Sequence, residues 1–144
     1  MFSYLRISLL VIITALSAAC AGNGTRPSSG GNGQIIAANE AAILQIRTLA
    51  SAEATYMTTT GVGSYGTLKQ LVDAQAIDTK LGLGQKDGYK FEVKITAPNA
   101  YEISAIPVQY AFTGQKSFYM NSSDGMIHGN DKRGVAAASA DPSL

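Results

Sequence analysis

From Ile35 to Thr58 the chain runs through twenty-four residues without a proline or a glycine. No other stretch narrows the available folds as much. Alanine is frequent there and favours helix, and at 100° per residue Ile35, Ala42, Ile43, Ile46, Leu49, Ala50, Tyr56 and Met57 gather on one side. Glu40, Gln45, Arg47, Thr48, Ser51 and Thr55 take the other. A lone helix with one apolar face has to bury it against another layer. Glu53 interrupts that face between Leu49/Ala50 and Tyr56/Met57. An unpaired buried charge is too costly to keep, so Glu53 is expected to accept hydrogen bonds from the adjoining chain. A catalytic acid would need a second titratable group beside it, and the sequence marks none.

The second layer follows. "TTTGVGSYG" supplies helix breakers, and "TLKQLVDAQA" opens with Thr67 and Gln70 at capping-box spacing before a short apolar face of Leu68, Leu71 and Val72. In "GYKFEVKI", Tyr89, Phe91, Val93 and Ile95 alternate with Lys90, Glu92 and Lys94, the pattern of a strand with one wet face. Pro98 and Asn99 suit a turn. "YEISAI" alternates again as far as Pro107, which marks an edge, bulge or strand end. "KSFYM" and "GMIHG" form a last pair joined through "NSSDG", with Asp124-Gly125 as the turn signal. The expectation is an α+β domain over 35–130, one long N-terminal helix packed on a three- to four-stranded antiparallel sheet. Residues 131–144 lack periodicity and read as a loose tail.

Ahead of the helix the chain reads differently. Met1 to Arg6 carries one positive side chain, Ile7 to Ala15 is an uncharged apolar run, and Ser17, Ala18 and Ala19 lead into Cys20, the only cysteine. The apolar run has signal-peptide length and is short for a bilayer span, which takes about 20 residues. The order resembles the bacterial lipobox, with Leu16 four residues before the cysteine. The resemblance implies cleavage between Ala19 and Cys20, removal of 1–19, and a diacylglycerol on the Cys20 sulfur. The alternative is an ordinary secretory peptide that leaves an incidental thiol. Residues 20–34 hold five glycines, two serines, two asparagines and a proline, a composition expected of a flexible tether. Ala21 is not the aspartate that favours inner-membrane retention in enteric lipoproteins, which points to the outer membrane.

Composition excludes several classes. Eleven basic against ten acidic residues without a run of either sign give no electrostatic reason for nucleic-acid binding. One cysteine forms no internal disulfide, and no zinc-ligand set is spelled out. The glycines at 61, 63 and 66, or at 82 and 84, make no phosphate-binding fingerprint. His128, the only histidine, has Asp124 and Asp131 nearby in sequence, but no nucleophile or substrate pocket is signalled, so no catalytic residue is expected. "NSSDG" places oxygen-bearing side chains at 121–124, thin for calcium, which takes six to eight oxygen ligands. No cofactor is expected.

The order of "NEAAILQIRTLASAEATYMTTTGVGSYGTLKQL", "GYKFEV", "YEISAIP" and "SFYMNSSDGMI" is similar to the globular head of type IV pilin-like proteins, especially type II secretion pseudopilins. The resemblance covers Asn39 to Asn130. It implies a non-catalytic interaction or structural role with protein partners in a secretion or pilus assembly. Major pseudopilins as a family bind calcium in a loop among their strands, which keeps a calcium- or small-ligand-binding envelope lipoprotein as the alternative. Pilins also carry a glycine followed by a Phe-Thr-Leu-Ile-Glu-like stretch and a long apolar half-helix. Here no glutamate precedes Glu40 and no glycine precedes Gly22. The expected molecule is a pilin-like head held at a membrane through lipid on Cys20.

Overall fold

The computed structural model describes residues 31–144; the segment containing Ala19 and Cys20 lies outside them. Helix α1 spans Asn32–Thr58, 27 residues or about 40 Å, and begins three residues before the expected start at Ile35. Short helices α2 (Leu68–Asp73) and α3 (Thr79–Gly82) follow, and then strands β1 (Gln85–Lys86), β2 (Tyr89–Ala97), β3 (Ala100–Pro107), β4 (Ser117–Asn121) and β5 (Ile127–Asn130). Each strand pairs antiparallel with the next, in the order β1-β2-β3-β4-β5. The domain is therefore α+β.

The buried residues of α1 are Ile35, as expected, and then Ala42, Gln45, Ile46, Leu49, Ala52, Glu53 and Tyr56, which repeat at three and four residues as a packed helix face must. It is rotated from the expected face. Ile43, Ala50 and Met57 are half-buried, whereas Gln45, assigned to the wet side, is buried and donates from Nε2 to Asp87 Oδ2 at 3.3 Å. That partner stands 42 residues away, beyond the reach of periodicity. The face packs with Phe91, Ile103, Phe118 and Met120 of the sheet and with Leu71 and Leu81 of the short helices in one apolar core.

The sheet has five strands, not three or four. The extra strand is β1, two residues long and too short to show alternation. It turns into β2 through Asp87-Gly88, both at positive φ (49° and 81°), with Lys86 paired to Tyr89 across them. Two left-handed residues match the twist of a two-residue hairpin, and Asp-Gly is a favoured pair for it. Gly88 is required twice over, since a Cβ there would lie 2.8 Å from Thr113 Cβ. Asp124-Gly125, by contrast, sits in a longer connection between Asn121 and Ile127.

The segment read as a loose tail lies along β5. Gly129 N–H donates to Pro142 C=O at 2.9 Å, Leu144 N–H donates to Ile127 C=O at 2.9 Å, and Ser143 bridges His128. Side chains hold it there: Asp141 accepts from Ala138 N–H (2.8 Å), Asn130 Nδ2 (3.2 Å) and Lys132 Nζ (3.1 Å). Irregular backbone with side-chain partners leaves no periodic trace in sequence.

Candidate functional site

Glu53 is completely buried at the exit of α1. The helix ends in a tight reversal, with Gly61 N–H donating to Tyr56 C=O (2.7 Å) and Gly63 N–H to Met57 C=O (2.9 Å), the latter glycine at φ +87°. The Tyr56 ring lies against Gly61 and Gly66, where any side chain would overlap it. This brings Gly66 N–H within 2.8 Å of Glu53 Oε2, as expected of a carboxylate accepting from the adjoining chain. Oε1 is buried without a partner. Desolvation outweighs the Gly66 bond and pushes the Glu53 carboxyl up to about 7. Nearby, Tyr65 and Tyr101 stack edge to face at 4.6 Å, and burial first, then Tyr65 and Glu53, push the Tyr101 hydroxyl up to about 12.

His128 projects from β5 and is nearly covered. Its Nδ1 lies 2.8 Å from Asp141 C=O and its Nε2 3.2 Å from Asp124 Oδ2. Both partners are acceptors, so the ring satisfies both only as imidazolium. The Asp141 carbonyl first, then Asp124, hold its pKa above the ordinary value. Asp124 is committed on its other oxygen too, accepting Met126 N–H at 2.9 Å, while Asn121 Oδ1 accepts Ser123 N–H and Asp124 N–H. The oxygen-bearing loop at 121–124 is thus laced by its own hydrogen bonds. Asp131 does not join His128; its carboxylate takes Arg133 N–H (3.1 Å), Gln115 Nε2 (2.9 Å) and Tyr110 Oη (3.1 Å), and the Arg133 amide chiefly holds it below the usual carboxylate range.

Each of these groups ties two segments of the chain together. Glu53 fixes the loop after α1, His128 joins the β4–β5 connection to the C-terminal segment, and Asp131 pins the connection before β4. Among the described residues, no three His, Cys, Asp or Glu side chains form a set able to hold a metal ion, and no helix is long and apolar enough to cross a membrane. A groove of about 490 Å³ lies between the start of α1 and β4, lined among others by Ile36, Asn39, Ile43, Lys116 and Phe118.

Asn39 had no sequence signal, yet it organises that end. Its Oδ1 accepts from Tyr89 Oη (2.6 Å) and Gln115 N–H (3.2 Å), so the start of α1 is tied to the bottom of β2 and the approach to β4. No family model, characterised protein or solved structure matches the chain.

Proposed function

We propose that this chain is a non-catalytic, lipid-anchored, pilin-like envelope protein, an accessory interaction or structural component of a secretion- or pilus-type system. One arrangement supports the reading above others: a 27-residue helix laid on an antiparallel meander is entered from a glycine-rich stretch behind the only cysteine, where pilins carry an apolar half-helix. The glycine-packed exit of α1 and the final β4–β5 pair accord with the same resemblance. Cys20 supplies the anchor through its acylated sulfur, after cleavage between Ala19 and Cys20, and the outer membrane is the proposed location. No catalytic role is part of this reading: Glu53, His128 and Asp131 each hold a loop or connection in place.

Fractionation tests it. The wild-type protein should sediment with membranes and come free with detergent but not with high salt, whereas Cys20→Ala should lose that detergent-dependent attachment. Wild-type protein recovered in the soluble fraction would remove the basis of the proposal.

A further inference from the structure

Glu53 is sealed by the fold beneath a thin cover. Its side chain is completely buried; Oε2 accepts Gly66 N–H at 2.8 Å and Oε1 meets no donor. No lysine, arginine or histidine pairs with it among the described residues. The ionisable groups about it are hydroxyls: Tyr56 on the same helix, Tyr65 on the connection that follows, and Tyr101 on β3. Charged groups on the neighbouring elements are engaged elsewhere. Lys69 and Asp73 of α2 pair with each other, and Glu92 and Lys94 of β2 and Glu102 of β3 line a separate concavity on the outer face of the sheet with Tyr119 of β4. The cover is the connection over 59–66. Its tie to the sheet through main chain is Tyr65 N–H, 3.1 Å from Pro98 C=O. Its other main-chain bonds run back to the end of α1 or stay within it: Gly61 N–H to Tyr56 C=O, Gly63 N–H to Met57 C=O, and Ser64 N–H to Gly61 C=O. Val62 at its tip is 89% exposed, and three glycines leave the segment little apolar area to bury and a wide choice of backbone conformations. Beyond it the capping box of Thr67 and Gln70 fixes the start of α2.

We infer that this connection is a proton-operated latch: it stays closed over Glu53 while the carboxyl holds its proton and swings off α1 when the carboxyl ionises, which uncovers Tyr56, Tyr65 and Tyr101. An ionised carboxylate with a single donor is too costly to keep buried, so it reaches water either by unfolding of the head or by lifting of its cover. Lifting breaks the Gly66 bond to Glu53, the Tyr65 bond to Pro98 and the edge-to-face contact of Tyr65 with Tyr101. Unfolding gives up the whole core. Local opening is therefore the cheaper response. Its sign follows from burial, which raises the closed carboxyl to about 7, against the ordinary 4.5 that it regains in water. The proton's support for closure is fully present below pH 4.5 and is lost as pH rises to 7, so the open fraction grows on the order of fifty-fold between pH 5 and pH 8. None of this depends on the anchor proposed at Cys20.

Native-state hydrogen exchange tests it on the whole 144-residue chain in mild nonionic detergent, at pH 5 and pH 8, with urea kept below the unfolding range. The Tyr65 and Gly66 amides should exchange through an opening almost insensitive to urea, and their protection factors should fall on the order of fifty-fold between the two pH values. The amide of Ile103, a fully buried residue, should keep the steep urea dependence of global unfolding. Glu53→Gln keeps an acceptor for Gly66 and cannot ionise, so its Gly66 protection should change little with pH. The carboxyl carbon resonance of Glu53 is a readout that needs no variant, and it should titrate well above 4.5. Three results overturn the inference: Gly66 exchange that rises with urea as steeply as exchange at Ile103, an equal loss of protection in wild type and Glu53→Gln, or a Glu53 carboxyl that titrates at its ordinary value.

Discussion

Glu53 and His128 are two of the residues whose protonation the fold shifts, and in both the protonated form is favoured. With a folded pKa raised from 4.5 to about 7, Glu53 binds its proton more tightly in the folded state than in the unfolded one. Its contribution is fully present below pH 4.5 and is lost as pH rises to 7, a change of roughly 3 kcal/mol at most. His128 acts in the same sense, its contribution being present below its unfolded pKa and lost as pH rises through the raised folded value. Difference measurements separate the two. Glu53→Gln keeps an acceptor for Gly66 and cannot ionise, so its urea midpoint should change much less between pH 5 and pH 8 than that of the wild type; an unchanged pH dependence would assign the effect elsewhere. Tyr101, its hydroxyl pushed up to about 12, stays neutral throughout this range. For His128 the direct probe is nuclear magnetic resonance titration of the imidazole. Its pKa should lie above 6.5 and fall in Asp124→Asn, and an equal pKa in both proteins would show that the 3.2 Å contact does not govern it. The polar role of Glu53 was legible in sequence because a carboxylate inside an apolar stripe has few ways to exist. The setting of His128 was not, since its Nδ1 partner is a main-chain carbonyl.

Among the elements, the β1–β2 hairpin and the C-terminal segment carry the sharpest expectations. Gly88→Ala places a Cβ at φ +81° and 2.8 Å from Thr113 Cβ, which should cost about 1–3 kcal/mol. The measurement is a lowered denaturation midpoint with an unchanged m-value. A neutral effect would mean that the Asp87-Gly88 turn relaxes freely. Truncation after Asp131 removes the bonds to Ile127 C=O and from Gly129 N–H, together with the Asp141 contacts, and should cost roughly 2 kcal/mol or more while unfolding stays cooperative. Amide exchange at Gly129 should accelerate, and continued protection there would contradict the docked arrangement. These elements also show what could be read in advance. The alternation of β2 picked out one face, on which Tyr89 and Phe91 are buried and Val93 and Ile95 half-buried, and the alternation of "YEISAI" is met by buried Tyr101, Ile103 and Ala105, because each strand is long enough to display period two. Asp87-Gly88 is as strong a hairpin signal as Asp124-Gly125, but a two-residue strand before it offers no pattern to confirm it. Over 131–144, distant side-chain partners rather than local spacing fix the path.

As a whole, the molecule joins a helix-on-meander head to a cysteine that precedes it by a short glycine-rich stretch, and its expected behaviour follows from that join. Pilin subunits polymerise through an apolar helix that continues beyond the head. Here α1 opens with Asn32, Gly33 and Gln34, all exposed, and the residues before them are rich in glycine, each costing about 1 kcal/mol relative to alanine within a helix. Purified chain from Cys20 onward, concentrated and imaged by electron microscopy with and without acyl chains, should show no regular fibres; fibres from the unacylated form would restore a filament-forming role. An accessory role beside a filament built by other subunits is compatible with this, but only if the head is held at a membrane. The central claim is therefore the state of one sulfur atom, and the most direct measurement is the intact mass of the mature protein purified from membranes, with fragmentation of its N-terminal peptide. The account predicts a chain that starts at Cys20 and carries diacylglycerol on that residue, and a Cys20→Ala protein without it. A wild-type chain with an unmodified Cys20 thiol would contradict the account.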